Sequence, residues 1–286
     1  METTMSTKAK NGLGVVSIVI MIWTLIPLLW IIATSLKSTA ALADPSQNLF
    51  GNFWPKHISW DNYKLIFSGG ASDLFLPALW HSIVVCVVST FISVVLATFC
   101  AYAISRLNFP GKKLILTTSL AVSFFPVIAM VTPLFNLWRQ IGLFDTIPGL
   151  IIPYLALTLP LSIWILSAFF QQIPWEMEQA AQVDGATSWQ AFIKVIAPLA
   201  APGVFTTAII AFFTAWNDFV FSSNLTAQSA QTVPAALNFF TGASQFVQPT
   251  GAICAAAVVV TIPVVILVLV FQKRIVAGLT SGAVKG

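Results

Sequence analysis

Apolar residues along this chain come in blocks of about twenty, broken by short polar stretches, rather than at the 3.6- or 2-residue period of a water-facing helix or strand. No charge occurs between Lys10 and Lys37. That run is longer than the roughly 7–15-residue core of a secretory signal, and it predicts a membrane-crossing helix over 13–36. The same pattern predicts spans over 77–105, 114–138, 149–170, 203–221 and 251–271, each near the roughly 20 apolar residues that a bilayer core requires. Pro27 falls inside the first span, where neighbouring helices can satisfy the carbonyl it frees. Between spans lie polar segments at 37–76, 139–148, 171–198 and 222–250. The first of these carries Trp54, Trp60 and Tyr63, residue types that favour a membrane–water interface.

Composition agrees. Hydrophobic residues make up 58% of the 286 and charged ones 8%, with a mean hydropathy of +0.91, whereas soluble domains carry roughly 25% charged residues. Most of the exterior must therefore face lipid. The expected fold class is an all-α integral membrane protein with about six transmembrane helices, residues 1–286 forming one permease domain. A net charge of +4 spread along the chain lacks the basic stripe of a nucleic-acid binder. Cys86, Cys100 and Cys254 lie in apolar runs without metal-ligand spacing, and His57 and His81 have no ligand-like companions, so no metal site and no catalytic group is expected.

Lys and Arg set the orientation. Nine of them (Lys8, Lys10, Arg106, Lys112, Lys113, Lys194, Lys273, Arg274 and Lys285) fall on one side, and four (Lys37, Lys56, Lys64 and Arg139) on the other. The richer side is expected to be cytoplasmic, with both termini inside. The segment 171–198 is then a cytoplasmic loop, and 37–76, 139–148 and 222–250 are extracytoplasmic.

Within 171–198, Pro174 suits a first helical position, and Glu176 and Glu178 suit the positive end of a helix. Gly185 suits the left-handed turn that ends it. Thr187 with Gln190 fits a capping box for a second short helix, which Pro198 is expected to close. The first helix, about 15 Å long, is too short and too polar to span a bilayer. Glu178, Ala181, Gln182 and Gly185 share one face by spacing, so small residues there would admit a partner's backbone. Helices that lie on lipid usually carry Lys or Arg on the polar face, whereas this one carries acids.

This segment resembles the Glu-Ala-Ala loop of binding-protein-dependent ABC importer permeases. The motif falls on Gln179-Ala180-Ala181, Gly185, Ile196 and Pro198, with Gln179 where the family usually has Glu. Lys37, Arg106-Leu-Asn-Phe-Pro-Gly-Lys112, Thr132-Pro-Leu-Phe135, Gly142-Leu-Phe-Asp145-Thr146, Trp216-Asn217-Asp218 and the closing Gly278–Gly286 resemble the carbohydrate-uptake branch. Within it the chain is similar to the maltose-type second permease and closest in texture to actinobacterial trehalose importers.

The resemblance implies type I importer architecture in a bacterial plasma membrane. It also implies a heterodimer with a second permease, two ATP-binding subunits and an extracytoplasmic sugar-binding protein or lipoprotein. ATP and Mg would then belong to the ATPase partners, with no cofactor in this chain. Gly111-Lys112-Lys113 lacks the upstream Gly and the following Ser or Thr of a phosphate-binding loop. The resemblance places ATPase coupling on Glu178, Gln179, Ala180, Ala181, Asp184, Gly185 and Phe192, with the main contact open between Glu178, an acid beside the motif, and Gln179.

Asp218 is the one acid near a span, expected about 24 Å along the fifth helix. It marks either a pathway site or a helix-end cap. Trp216 and Asn217 beside it suit a sugar's apolar faces and hydroxyls. Thr132, Asn136, Ser162 and Trp164 are further pathway candidates, equally open to a role as helix–helix glue. Asn238, Phe239, Phe240, Thr241 and Gln245 mix amides with aromatics, as a contact to the binding protein would, although a plain solvated loop fits as well. The expected function is thus half of the translocation path of an ATP-driven importer for a disaccharide such as trehalose or maltose. An ion-coupled secondary transporter, the alternative, would bury ionisable groups at mid-membrane. These spans carry none there.

Overall fold

The computed structural model describes residues 7–43, 53–240 and 249–283, with side chains placed between Gly12 and Phe271. No strand occurs among the described residues. The charge-free run near the start is helix α1 (Thr7–Ser35), whose apolar side chains from Leu13 to Leu29 are mostly exposed, as on a lipid-facing helix. Two short helices follow, α2 (Thr39–Ala43) and α3 (Asp61–Ser68). Helix α4 (Ser72–Arg106) has 35 residues, about 52 Å at 1.5 Å each, and so outruns a hydrocarbon core about 30 Å thick.

The run at 114–138 is not one straight helix. It is α5 (Lys112–Ser123) and α6 (Val127–Ile141), which meet at 90°. Pro126 has no N–H and disfavours helical geometry at Phe125, so the ladder stops and Phe124 N–H turns back to Ala121 O. Hydropathy averaged over such a run does not register the break.

Helix α7 (Ile147–Gln172) begins at Thr146, whose hydroxyl accepts the Gly149 N–H. After it come α8 (Trp175–Val183), α9 (Ser188–Ala191), a π-turn at Phe192–Ile196 and α10 (Ala197–Trp216). Here the structure corrects the expectation for Pro198. Proline does not close the second short helix. It stands at the start of α10, where the wider π-turn tolerates its missing N–H, and 188–216 form one continuous apolar helix.

The described part of 222–250 is likewise more than a loop. It holds the end of α11 (Val220–Leu225), then α12 (Val233–Ala236) and a 3₁₀ turn at Leu237–Phe239. The last helix is α13 (Thr250–Ala283). Among the described residues, five helices are long and apolar enough to cross a bilayer, six if the bent pair counts as one span.

The chain divides into two units, residues 1–76 with 239–262 and residues 77–238 with 263–286. In the first, buried Asn62 donates to Ser35 O at 3.0 Å and Lys37 O at 2.7 Å, satisfying carbonyls that the end of α1 leaves open. The Tyr63 and Ser35 hydroxyls share a hydrogen bond of 2.9 Å. In the second, Ala97, Ala101 and Ile104 of α4 pack with Leu166 and Phe170 of α7 and with Phe192, Ile196 and Ala200 of the π-turn and α10. Small residues on α4 let these helices approach closely.

Candidate functional site

The hairpin at the end of that second core is built by local signals. Pro174 precedes α8, and Glu176 and Glu178 stand in its first turn. The chain reverses at Gly185, with φ +89°, and Ala186 N–H closes onto Ala181 O at 2.9 Å. Thr187 and Gln190 then make a reciprocal cap: Gln190 N–H donates to Thr187 Oγ1 at 3.2 Å and Thr187 N–H to Gln190 Oε1 at 2.9 Å.

Glu178 does not share the outward face that helical spacing gave it with Gln182 and Gly185. It is buried, and its Oε1 accepts the Tyr102 hydroxyl at 2.7 Å. Its Oε2 lies 3.6 Å from Arg106 Nε, with both side chains almost fully covered. Arg106 also donates to Ile173 O at 2.8 Å, and its guanidinium sits 4.7 Å from the centre of the Trp175 ring. A carboxylate at the inner edge of α8 needs such partners, because a buried unpaired charge is costly. Phe192, too, is turned inward. It packs on Tyr102 at 4.6 Å, Phe99 at 5.8 Å and Trp189 at 5.6 Å between ring centres.

All of α8 but Glu178 and the half-buried Ala181 is exposed, namely Trp175, Glu176, Met177, Gln179, Ala180, Gln182 and Val183, with Asp184 and Gly185 exposed beyond it. Val183 is 86% exposed, so an apolar side chain stands clear of its own protein at the hairpin tip.

The pathway candidates separate into two groups. Thr132 and Asn136 are exposed one turn apart on α6, and Trp164 and Asn217 are exposed as well. Ser162 is buried and donates to Thr158 O at 2.7 Å, while Trp216 stacks on Phe212 at 5.2 Å. Asp218 is not inside a helix. It follows the end of α10 and caps α11, accepting from Ser222 N–H at 3.1 Å and Phe221 N–H at 3.4 Å. Asn238 and Phe239 are exposed, whereas Phe240 is buried edge-on against Phe75. Thr241 and Gln245 lie outside the described residues.

Two anchors escaped the sequence reading as site residues. Arg106 looked like a span boundary and Tyr102 like any residue of the span, since their partner is 76 positions beyond Tyr102. Asp145 was visible only as part of a motif. It adopts φ 57°, and its carboxylate accepts N–H groups from Ala227, Gln228, Ser229 and Ala230 at 2.9–3.3 Å. Partial burial would raise its pKa, but these four donors together hold it below the usual carboxylate value.

Long apolar helices mark an integral membrane protein, and the short polar helix α8 is held beside the packed ends of α4 and α7. The chain belongs to the family of binding-protein-dependent transport system inner membrane components, whose model matches residues 93–281. It is 54% identical over 265 residues to the trehalose transport system permease protein SugB of Mycobacterium tuberculosis, covering 92% of this chain and 93% of that one. It is 41% identical over 228 residues to the trehalose/maltose transport system permease protein MalG of Thermococcus litoralis, covering 79% and 81%. Its fold matches a chain of a bacterial ABC transporter involved in import of the acidic polysaccharide alginate, with a TM-score of 0.74 and 23% identity over 95% of this chain and 99% of that one. It is a non-enzymatic translocation subunit of an ABC importer.

Proposed function

We propose that this chain forms half of the sugar path in an ATP-driven importer whose substrate is a disaccharide such as trehalose or maltose. Its relatives' names favour that substrate class. In this reading a second permease completes the path, two separate ATP-binding subunits carry ATP and Mg, and an extracytoplasmic sugar-binding protein or lipoprotein delivers the sugar. In this reading the setting is a bacterial plasma membrane, and the nine-to-four division of Lys and Arg supports cytoplasmic termini.

The observation that carries the reading is the exposed strip of α8. Met177, Ala180 and Asp184 fall on one face, with Val183 beside them. A small residue between two apolar ones admits a close partner, and Asp184 adds an anchoring charge. We assign this strip, with Gln179, Ala181 and Gly185, to the groove of an ATPase subunit. Closure of the ATPase pair on ATP would then move the hairpin and rock the attached spans. Thr132, Asn136, Trp164 and Asn217 offer the exposed polar and aromatic groups a sugar path needs, and Asn238 and Phe239 are available to the binding protein.

The test is uptake of labelled trehalose and maltose by cells lacking the chain and then supplied with it. Restored uptake of either sugar, abolished by Ala180→Trp together with loss of ATPase copurification, is the expected result. ATP hydrolysis by the purified chain alone would refute the assignment.

A further inference from the structure

We infer that Glu178 works inside the permease, as one end of a buried strut with Arg106 and Tyr102 that passes displacement of α8 to α4. This rests on the reading of α8 as the ATPase-driven element. Along the chain, α8 is joined directly to α7 through Ile173 and Pro174, and to the continuous α9–α10 helix through residues 184–187. It has no such link to α4. Movement that reaches α4 from α8 must cross side chains.

Apolar contacts of Phe99 and Tyr102 with Phe192 cross beside the hairpin, but the polar side chains that reach α8 itself are few and specific. Tyr102 and Arg106 stand one turn apart at the end of α4 and both address the Glu178 carboxylate, one at each oxygen. Arg106 also takes Ile173 O, two residues before the start of α8, and covers the Trp175 ring. One guanidinium therefore holds both the start of α8 and its inward acid. Arg106 and Glu178 are only 6% and 5% exposed, so water and salt screen the pair little.

The charges are not there chiefly for stability, because an apolar pair of similar volume would commonly serve as well. Charges instead fix direction and distance. The pair is also only partly closed. At 3.6 Å the Arg106 Nε–Glu178 Oε2 contact is beyond hydrogen-bond reach, and neither atom has another hydrogen-bond partner. An approach of under about 1 Å would complete a charge-assisted bond. A small shift of α8 against α4 thus changes the strength of the link steeply. Tyr102, Arg106 and Glu178 are positioning residues in this scheme and touch neither sugar nor nucleotide.

The experiment uses the complete importer, both permeases with their ATPase pair and binding protein, in proteoliposomes. Three variants are compared with the parent: Tyr102→Phe, Glu178→Gln, and the doubly apolar Arg106→Met/Glu178→Met. Tyr102→Phe keeps the ion pair and the ring, so it remains informative if either of the others fails to assemble. Readouts are ATPase copurification, ATP hydrolysis stimulated by loaded binding protein, and sugar imported per ATP.

The strut predicts unchanged copurification with a fall in sugar per ATP of roughly tenfold or more for each of the three variants, the scale of one hydrogen bond to a charged group. A passive tertiary anchor would lower yield, hydrolysis and uptake together and leave their ratio alone. A ratio within about twofold of the parent in the assembled variants overturns the strut, as does loss of ATPase copurification by Glu178→Gln to the extent seen with Ala180→Trp. Retention of the ATPase by Ala180→Trp is a separate result, and it removes the docking reading itself.

Discussion

A Cβ atom built on Gly251, at the start of α13, would stand 2.5 Å from Asn62 Oδ1. Asn62 cannot retreat without giving up the carbonyls of Ser35 and Lys37. Gly251→Ala should therefore destabilise by about 2 kcal/mol, through overpacking and one or two lost buried hydrogen bonds. Gly70→Ala, where a Cβ meets nothing within 4 Å, is the control and should be near neutral. Thermal unfolding of the detergent-solubilised protein distinguishes them.

Asp145 ties residues 227–230 through charge-assisted hydrogen bonds. Asp145→Ala loses these and must also hold φ 57° without a side chain that favours it. A cost of about 2 kcal/mol is expected. Because the folded pKa is lowered, the stability from this carboxylate is complete above its unfolded value near 4 and fades as pH falls through the lower folded value. The difference in melting temperature between parent and Asp145→Asn should stay constant from about pH 7 to 5 and shrink below about pH 4.

Gly185 has room for a side chain but not the backbone geometry for one: nothing lies within 4 Å of a built Cβ, and φ is +89°. Gly185→Ala should cost only about 1 kcal/mol. Gly185→Trp carries similar strain in the isolated subunit but adds bulk to the exposed hairpin tip. Melting temperatures of the two should agree, while sugar uptake should fall much further for Trp than for Ala.

Gly203 on α10 lies under the Phe169 ring of α7, with a built Cβ 2.5 Å from its Cγ. Gly203→Ala should destabilise by about 2 kcal/mol. Combining it with Phe169→Leu should recover part of the loss, so a double-mutant cycle on unfolding midpoints should show coupling.

Much of this architecture is legible from composition because lipid imposes one demand on long stretches of chain. The hairpin was legible for another reason: Pro174, Gly185, and Thr187 with Gln190 act on their immediate neighbours, and the structure has α8, the left-handed turn and the reciprocal cap at those places. Distant relations were not legible. Nothing near Glu178 says that it turns toward Arg106, and spacing alone left its face open to a partner. The break before Pro126 and the continuation through Pro198 show that proline's effect depends on its surroundings. At 198 a π-turn absorbs the missing donor, whereas at 126 the helix bends by 90°.

The join at Phe192–Ile196 has a mechanical result. With no flexible loop between Ser188 and Trp216, those 29 residues form a rod about 43 Å long. A tilt of about 10° at the hairpin end would sweep the far end sideways by about 7 Å, roughly the width of a sugar ring. Leverage of this kind comes from length and a continuous helical backbone, and it would vanish if a glycine-rich hinge replaced the wide turn.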